Sequence, residues 1–427
     1  MSHIRLERTI WPVGHGAFYT EQFRGGHGNT FTVAYDCGGK DKATIESQIG
    51  AATNGGSTPI DLLFISHFHS DHINGLPTLL DNSLVKRIVL PQLAEEVVLE
   101  AIVYNFIKAS HGGYQTPSAD VIQLQEQLIS WVQSDNKENI TEVVESAEGD
   151  GEINHIEIGE RNGEAGQVNS VLPKEIRSGK EIQITELRKV FWHYIPICYK
   201  DKQKCEDLLV ALKKKYDITN DQEKLDWKKV KNVLLEEIPE EERKQREAKY
   251  KNIKGIKDIY ETNFPAKGKG EQSHNCYSMP VYSGPTVDVA LDHIHSSYRY
   301  NECLFAKVVD VLYRRYFDIL AQHSAHCLYT GDFEANIQSN LDKLKQILGA
   351  LWAKVGLLQI PHHISDSNYN PDLYDHRMLS FGNVDDKGDE SFSFSIYRKI
   401  SYSHHCSAVA ITEKDEPLEF GYYIVLI

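Results

Sequence analysis

Ile60 to Leu80 reads IDLLFISHFHSDHINGLPTLL. The apolar run Leu62 to Ile65 has the pattern of a buried strand. It leads directly into His67, His69, Asp71 and His72 before an apolar helix resumes at Ile73. Four strong metal-ligating side chains therefore fall within six residues. On a strand-end loop, alternation sends His67 and His69 to one side, while Asp71 and His72, past the turn, face a neighbouring point a few ångströms away. That is the arrangement of a site for two metal ions. Histidine clusters at strand ends also arise as surface accidents, but three imidazoles and a carboxylate behind a hydrophobic strand are poorly accommodated as mere packing.

The spacing H-x-H-x-D-H resembles the signature of the metallo-β-lactamase fold superfamily and matches it at all four positions. The residues before it fit the same resemblance. Leu6 to Phe23 carries two strand-like runs around Gly14, His15 and Gly16, and Thr30 to Tyr35 reads as a third strand, ending in Asp36, Cys37, Gly38 and Gly39. Antiparallel strands closing on D-C-G-G resemble the usual start of that fold. The resemblance implies that Asp36 orients a metal-ligand histidine, with a simple turn as the alternative. His15 reads as a loop residue. The expected architecture is α/β, a four-layer αβ/βα sandwich of the metallo-β-lactamase type carrying a charged helical insertion.

Composition limits the remaining choices. The 427 residues exceed one average domain, yet one such sandwich with insertions accommodates them. No stretch approaches the roughly 18 to 20 apolar residues of a membrane span. The amino terminus, MSHIRLERTIWPVGHG, has charges where a signal peptide needs its apolar core. Cys37, Cys198, Cys205, Cys276, Cys303, Cys327 and Cys406 are odd in number and lack C-x-x-C spacing, which suits free thiols and a cytoplasmic location. A net charge of −15 opposes a large electrostatic footprint for nucleic acid, although it leaves room for a local basic groove.

That charge is unevenly spread. Residues 200–271 hold 19 Lys and Arg against 16 Asp and Glu, and read as two or three charged helices, KCEDLLVALKKKY, QEKLDWKKVKNVLLEE and PEEERKQREAKYKNIKGIKDIY. The segment divides the chain into a first half of the fold, 1–199, the insertion, 200–271, and a second half, 272–427. A solvated hairpin is one reading of it. The other is a cap or partner surface whose lysines face a polyanion. Elsewhere, Val85 to Leu90, Ile153 to Ile158, Val190 to Cys198, His326 to Thr330 and Val355 to Ile360 read as strands, and Leu93 to Ser110, Ser118 to Ser134, Glu302 to Leu320 and Leu341 to Leu351 as helices.

Two later strands return to the site. His326 to Thr330 runs into Gly331 and Asp332; in the family resembled, such a T-G-D turn supplies the carboxylate shared by both metals, which implies that role for Asp332. In LLQIPHH a strand again delivers histidine to the sheet edge, giving His362 as a ligand with His363 as the substitute. The third histidine of the first metal is His274, in HNCYS, with His193 its rival. Asn275, Ser278, T-G-D and P-H-H together resemble the competence-type branch of DNA-uptake proteins, and His404 and His405 fall where that branch often has a histidine near metal or substrate. The resulting metal ligands are His67, His69, Asp71, His72, His274, Asp332 and His362, and the catalytic assignments are Asp71 and His405. Two divalent ions, Zn²⁺ with Mn²⁺ as the alternative, would acidify a water and stabilise a developing oxyanion. The function implied is a metal-dependent hydrolase, foremost a phosphodiesterase or nuclease acting on nucleic acid. The alternatives are a hydrolase of a lactone, thioester or amide, or a non-enzymatic interaction module that binds a protein partner through the insertion.

Overall fold

Residues of period two share a face, and in β1 (His3–Ile10) that rule sets Ile4, Leu6, Arg8 and Ile10 on one buried side while Arg5 is exposed. The computed structural model describes residues 3–25, 30–109, 119–134, 139–145, 154–158, 172–186, 189–234, 254–264, 277–286, 289–295, 325–365, 368–377, 379–385, 399–400 and 406–426. β1 pairs antiparallel with β2 (Tyr19–Arg24), which pairs antiparallel with β3 (Thr30–Tyr35). β4 (Leu62–Phe64), β5 (Ile88–Pro91), β6 (Ile140–Val144) and later β8 (Glu175–Arg177) then add in parallel. Leu62, Leu63 and Phe64 are all buried, as a parallel strand covered on both faces requires.

The second sheet takes β7 (Asn154–Ile158), β9 (Ile182–Glu186), β10 (Lys189–Pro196), β13 (Val281–Pro285), β15 (Cys327–Tyr329), β16 (Leu357–Gln359), β17 (Leu379–Asn383) and β18 (Ser407–Ile411). A small ribbon of β11 (Tyr199–Lys200) and β12 (Tyr277–Ser278) stands apart, and β14 (Val289–His295) and β19 (Leu418–Leu426) extend the first sheet beyond β1. The orders are β14-β19-β1-β2-β3-β4-β5-β6-β8 and β18-β17-β16-β15-β13-β10-β9-β7. Aromatic side chains join the facing sheets: Tyr35 of β3 stacks on Tyr329 of β15 at 5.0 Å, and Phe64 of β4 meets Tyr194 of β10 at 5.3 Å.

Helices cover the outer faces. α1 (Lys42–Ala52), α2 (Ser70–Ile73), α3 (Leu76–Asp81), α4 (Glu95–Ala109) and α5 (Ala119–Gln133) contribute Ile45, Ile49, Ile73, Leu76, Leu79, Val98, Ile102, Leu124 and Leu128 to the main hydrophobic core. The helix Gln338–Leu348 sets Leu341, Leu344 and Leu348 against Leu328 and Leu358 of the second sheet. Two sheets flanked by helices is the expected α/β sandwich. Helix Glu302 to Leu320, as read from the sequence, lies outside the described residues.

The described part of the charged segment is packed, not merely solvated. α6 (Lys202–Lys215), α7 (Trp227–Leu234) and the helical residues 254–263 bury Leu208, Leu212, Trp227, Val230, Ile256 and Tyr260 in the main hydrophobic core. One expectation for cysteine fails: Cys205 is disulfide-bonded, whereas Cys37, Cys198, Cys327 and Cys406 are free and buried. Among the described residues no helix is long and apolar enough to cross a membrane.

Candidate metal centre

Asp36 follows β3 with φ +56°, a left-handed conformation that Asp tolerates better than most residues. The turn places a fully buried carboxylate under the loop after β4. Its Oδ1 accepts from the Ser66 backbone N–H at 2.7 Å, while its Oδ2 accepts from Ser66 Oγ and meets His72 Nδ1, both at 2.8 Å. With Nδ1 so held, His72 Nε2 faces outward. The sequence expectation that Asp36 orients a site histidine matches this geometry.

The loop after β4 is fixed from three further sides. α2 (Ser70–Ile73) lies against the D-C-G-G turn, where Cys37 N–H donates to the His72 carbonyl at 2.9 Å, and a Cβ on Gly38 would stand 2.0 Å from the Asp71 carbonyl oxygen. From α4, Asn105 accepts from Ser70 N–H at 2.7 Å and donates to the Phe68 carbonyl at 2.9 Å. Across the sheets, Met279 N–H donates to the Ser66 carbonyl at 2.9 Å.

Parallel β15 and β16 of the second sheet end opposite this loop. The Gln359 side-chain carbonyl accepts from the N–H groups of Thr330 and Gly331 at 2.8 and 3.0 Å, which shapes the T-G-D turn. Gly331 has φ +53°, and a Cβ there would lie 2.7 Å from Ser66 Cβ, so the close approach requires glycine. His362, His363 and Ile364 follow β16 with φ +51°, +50° and +65°. Three consecutive left-handed residues without glycine are strained, and they turn the imidazoles into the cleft.

Two donor groups result. His67, His72 and Asp332 form one, with His72 Nε2 3.2 Å from Asp332 Oδ1 and His67 Nε2 3.6 Å from Oδ2. His15, Asp71 and His363 form the other, with Asp71 Oδ2 at 3.4 Å from His15 Nε2 and 3.3 Å from His363 Nε2. Within each group the ligand atoms lie within 4.8 Å of one another. His363 Nε2 is 3.9 Å from Asp332 Oδ1, so the groups adjoin. His362 Nδ1 lies 3.2 Å from Asp332 Oδ2.

The donors suit cations. The Nε2 atoms of His67, His72 and His363 are buried yet have no geometrically satisfactory hydrogen bond, although carboxylate oxygens are near. Buried lone pairs converging on carboxylates fit a cation better than they fit packing, and two imidazoles with one carboxylate per group match Zn²⁺ or Mn²⁺ chemistry. Burial opposes ionisation of Asp332, but His362, His72 and His67 outweigh it and hold the carboxyl well below its usual range. For Asp71 burial is likewise overcome, by His15 and His363 first. Burial and the neighbouring His72 push His67 well down, and burial with His15 pushes His363 down to about 4. Carboxylates act in the opposite sense on the other two imidazoles: against burial, Asp332 and Asp36 raise His72 well above its usual range and Asp71 raises His15, so a cation entering either group would take the place of a proton there.

The grouping differs from the sequence expectation. His67 and His72, not His67 and His69, share a donor group, because the chain enters α2 after His69 and turns His72 back beside His67, their rings 4.1 Å apart. Asp71 faces the second group instead of joining His72. His69 stays adjacent, its ring 4.6 Å from that of His67 and its Nε2 3.6 Å from Glu100. His363, the substitute, enters a donor group while His362 flanks Asp332. His15 was read as a loop residue, yet it reaches Asp71 because its backbone N–H is anchored on Asp385 Oδ1 at 2.8 Å. Its flanking glycines in G-H-G were the one local sign. The rival His193 is engaged elsewhere, with Glu181 at 3.5 Å and the Tyr282 ring at 5.3 Å. His274, His404 and His405 lie outside the described residues, and so does Asn275.

Residues 27–129 match the model of the Metallo-beta-lactamase superfamily, to which this part of the chain is similar, and the described residues as a whole form two helix-flanked sheets of α/β class. No curated protein matches the sequence significantly. Among solved structures, the crystal structure of a long form RNase Z from yeast aligns with TM-score 0.30 and 9% identity, over 97% of this chain and 45% of that one. This chain thus spans less than half the length of that structure.

Proposed function

We propose that the protein is a metal-dependent hydrolase whose ions are held by His67, His72 and Asp332 on one side and by His15, Asp71 and His363 on the other, with His69 and His362 at their flanks. The observation carrying this reading is the convergence of unsatisfied buried imidazole nitrogens on the Asp71 and Asp332 carboxylates. When bound, divalent ions supply Lewis acidity and make water a competent nucleophile near neutral pH. The chain's own part is to fix those donors. Asp36 locks the His72 ring, Gln359 and Gly331 set Asp332, and the left-handed run at 362–364 aims the paired histidines. The side chains of His15 and Asp71 are 33% and 19% exposed, against 2% or less for His67 and His72, so substrate enters from the His15 side.

The substrate we favour is a phosphodiester of a nucleic acid. The T-G-D and P-H-H turns resemble the competence-type branch, and exposed Lys108 lies 5.5 Å from the ring centre of Tyr104, which stacks on His69 at 3.7 Å, so a cation borders the site. The acidic balance, −15 overall, favours the second reading, a hydrolase of an uncharged lactone, thioester or amide. One experiment tests both. Protein stripped by chelator and reloaded with Zn²⁺ or Mn²⁺ is assayed on DNA, RNA, bis-p-nitrophenyl phosphate and p-nitrophenyl esters, beside Asp332→Ala and Asp71→Ala. Phosphodiester turnover falling at least about a hundredfold in both variants is expected. Ester turnover alone would favour the second reading, and a parent chain that retains no ion would end the hydrolase proposal.

A further inference from the structure

Among the described residues of segment 200–271, Tyr260 reaches the edge of the site. Tyr260, 2% exposed, stacks on Phe264 at 4.6 Å, and its hydroxyl donates to Glu100 Oε1 at 2.6 Å. Burial, reinforced by Glu100, pushes the Tyr260 phenol well above its ordinary range, so the phenol is the donor. Glu100 is itself only 3% exposed, and the same Oε1 lies 3.6 Å from His69 Nε2. Tyr104, one turn further along α4, stacks on the His69 ring with planes 17° apart, and Asn105 clasps the backbone on either side of His69. Glu100, Tyr104 and Asn105 are spaced so that one helix face grips one loop.

We propose that Tyr260 and Glu100 are positioning residues for the metal centre: Tyr260 holds the Glu100 carboxylate against His69 Nε2, which leaves His69 Nδ1 as the nitrogen available to an ion. The described part of the charged segment then acts on the centre through α4. Its docking on α4 is coupled to the orientation of one imidazole, in the way a carboxylate behind a ligand histidine fixes tautomer and ring angle. This inference rests on the metal reading above.

The test is calorimetric titration of the chelator-stripped full chain with Zn²⁺, together with the visible absorption spectrum after Co²⁺ loading. The variants are Glu100→Gln, Tyr260→Phe and, as a packing control in the same segment, Phe264→Leu. Glu100→Gln is expected to weaken binding of at least one ion by roughly tenfold or more, and Tyr260→Phe in the same direction by a smaller factor, each with an altered Co²⁺ spectrum. Phe264→Leu is expected to lower the melting temperature while leaving affinity and spectrum unchanged. Parent-like affinity and spectra in both Glu100→Gln and Tyr260→Phe would overturn this inference alone. An equal loss in Phe264→Leu would also overturn it, by assigning the effect to packing. A parent chain that takes up no ion would overturn it together with the metal reading.

Discussion

Asp36 is the residue through which β3 controls the centre. Asn is tolerated at its φ of +56°, so Asp36→Asn isolates the loss of the charge and of one acceptor from any backbone effect. Three donor contacts converge on this fully buried carboxylate, and the amide cannot satisfy all of them. Asp36→Asn is expected to destabilise the fold by about 1 to 3 kcal/mol in urea unfolding and to weaken Zn²⁺ uptake, read by titration against a chelating dye. At this scale the sequence disclosed the donors whose spacing is local. His67, Asp71 and His72 announce themselves within six positions, and Asp332 by the turn that follows its strand. His15 could not be found that way, since what brings it to Asp71 is a hydrogen bond to Asp385, 370 positions away. Glu100 was hidden for a different reason. On a helix with an apolar stripe, periodicity says which face is covered but not that a carboxylate on it meets an imidazole.

Between the elements, the tie most sensitive to change is polar. Arg8 of β1 and Glu21 of β2 are direct cross-strand partners, bonded at 2.7 Å, and Glu21 also accepts from Tyr194 of β10, Ser283 of β13 and Tyr329 of β15. One carboxylate therefore joins two sheets. Arg8→Met leaves that carboxylate buried without its cation and is expected to cost about 3 to 5 kcal/mol, whereas Arg8→Met with Glu21→Leu is expected to cost less than the single change. Paired urea unfolding curves decide it, and an additive or larger loss in the double variant would contradict the account. The strands themselves were largely legible. An apolar run such as LLF, buried throughout, carries its own signal. The inter-sheet network was not, because a charged pair inside β1 and β2 reads as solvent-facing until the opposite sheet is in place.

Over the whole molecule, the free thiols report how closed the interior is. Burial pushes Cys198 up to about 11 and Cys327 up to about 12, and raises Cys37 and Cys406 as well. A raised value keeps the thiol protonated, so iodoacetamide at pH 8 is expected to label none of these four in the native protein and all of them in urea, as counted by mass spectrometry. The sandwich was readable from one motif and the strands around it. The extent to which residues 200–271 share the main core was not, since charged helices hide the few apolar side chains they bury. The last consequence follows from how the donors are divided. Each group draws two side chains from before that segment and one from after it: His67 and His72 with Asp332, His15 and Asp71 with His363. A polypeptide cut within the segment would yield two pieces, neither able to chelate an ion through a full triad. Restored ion uptake on mixing would then signal that the pieces had reassociated.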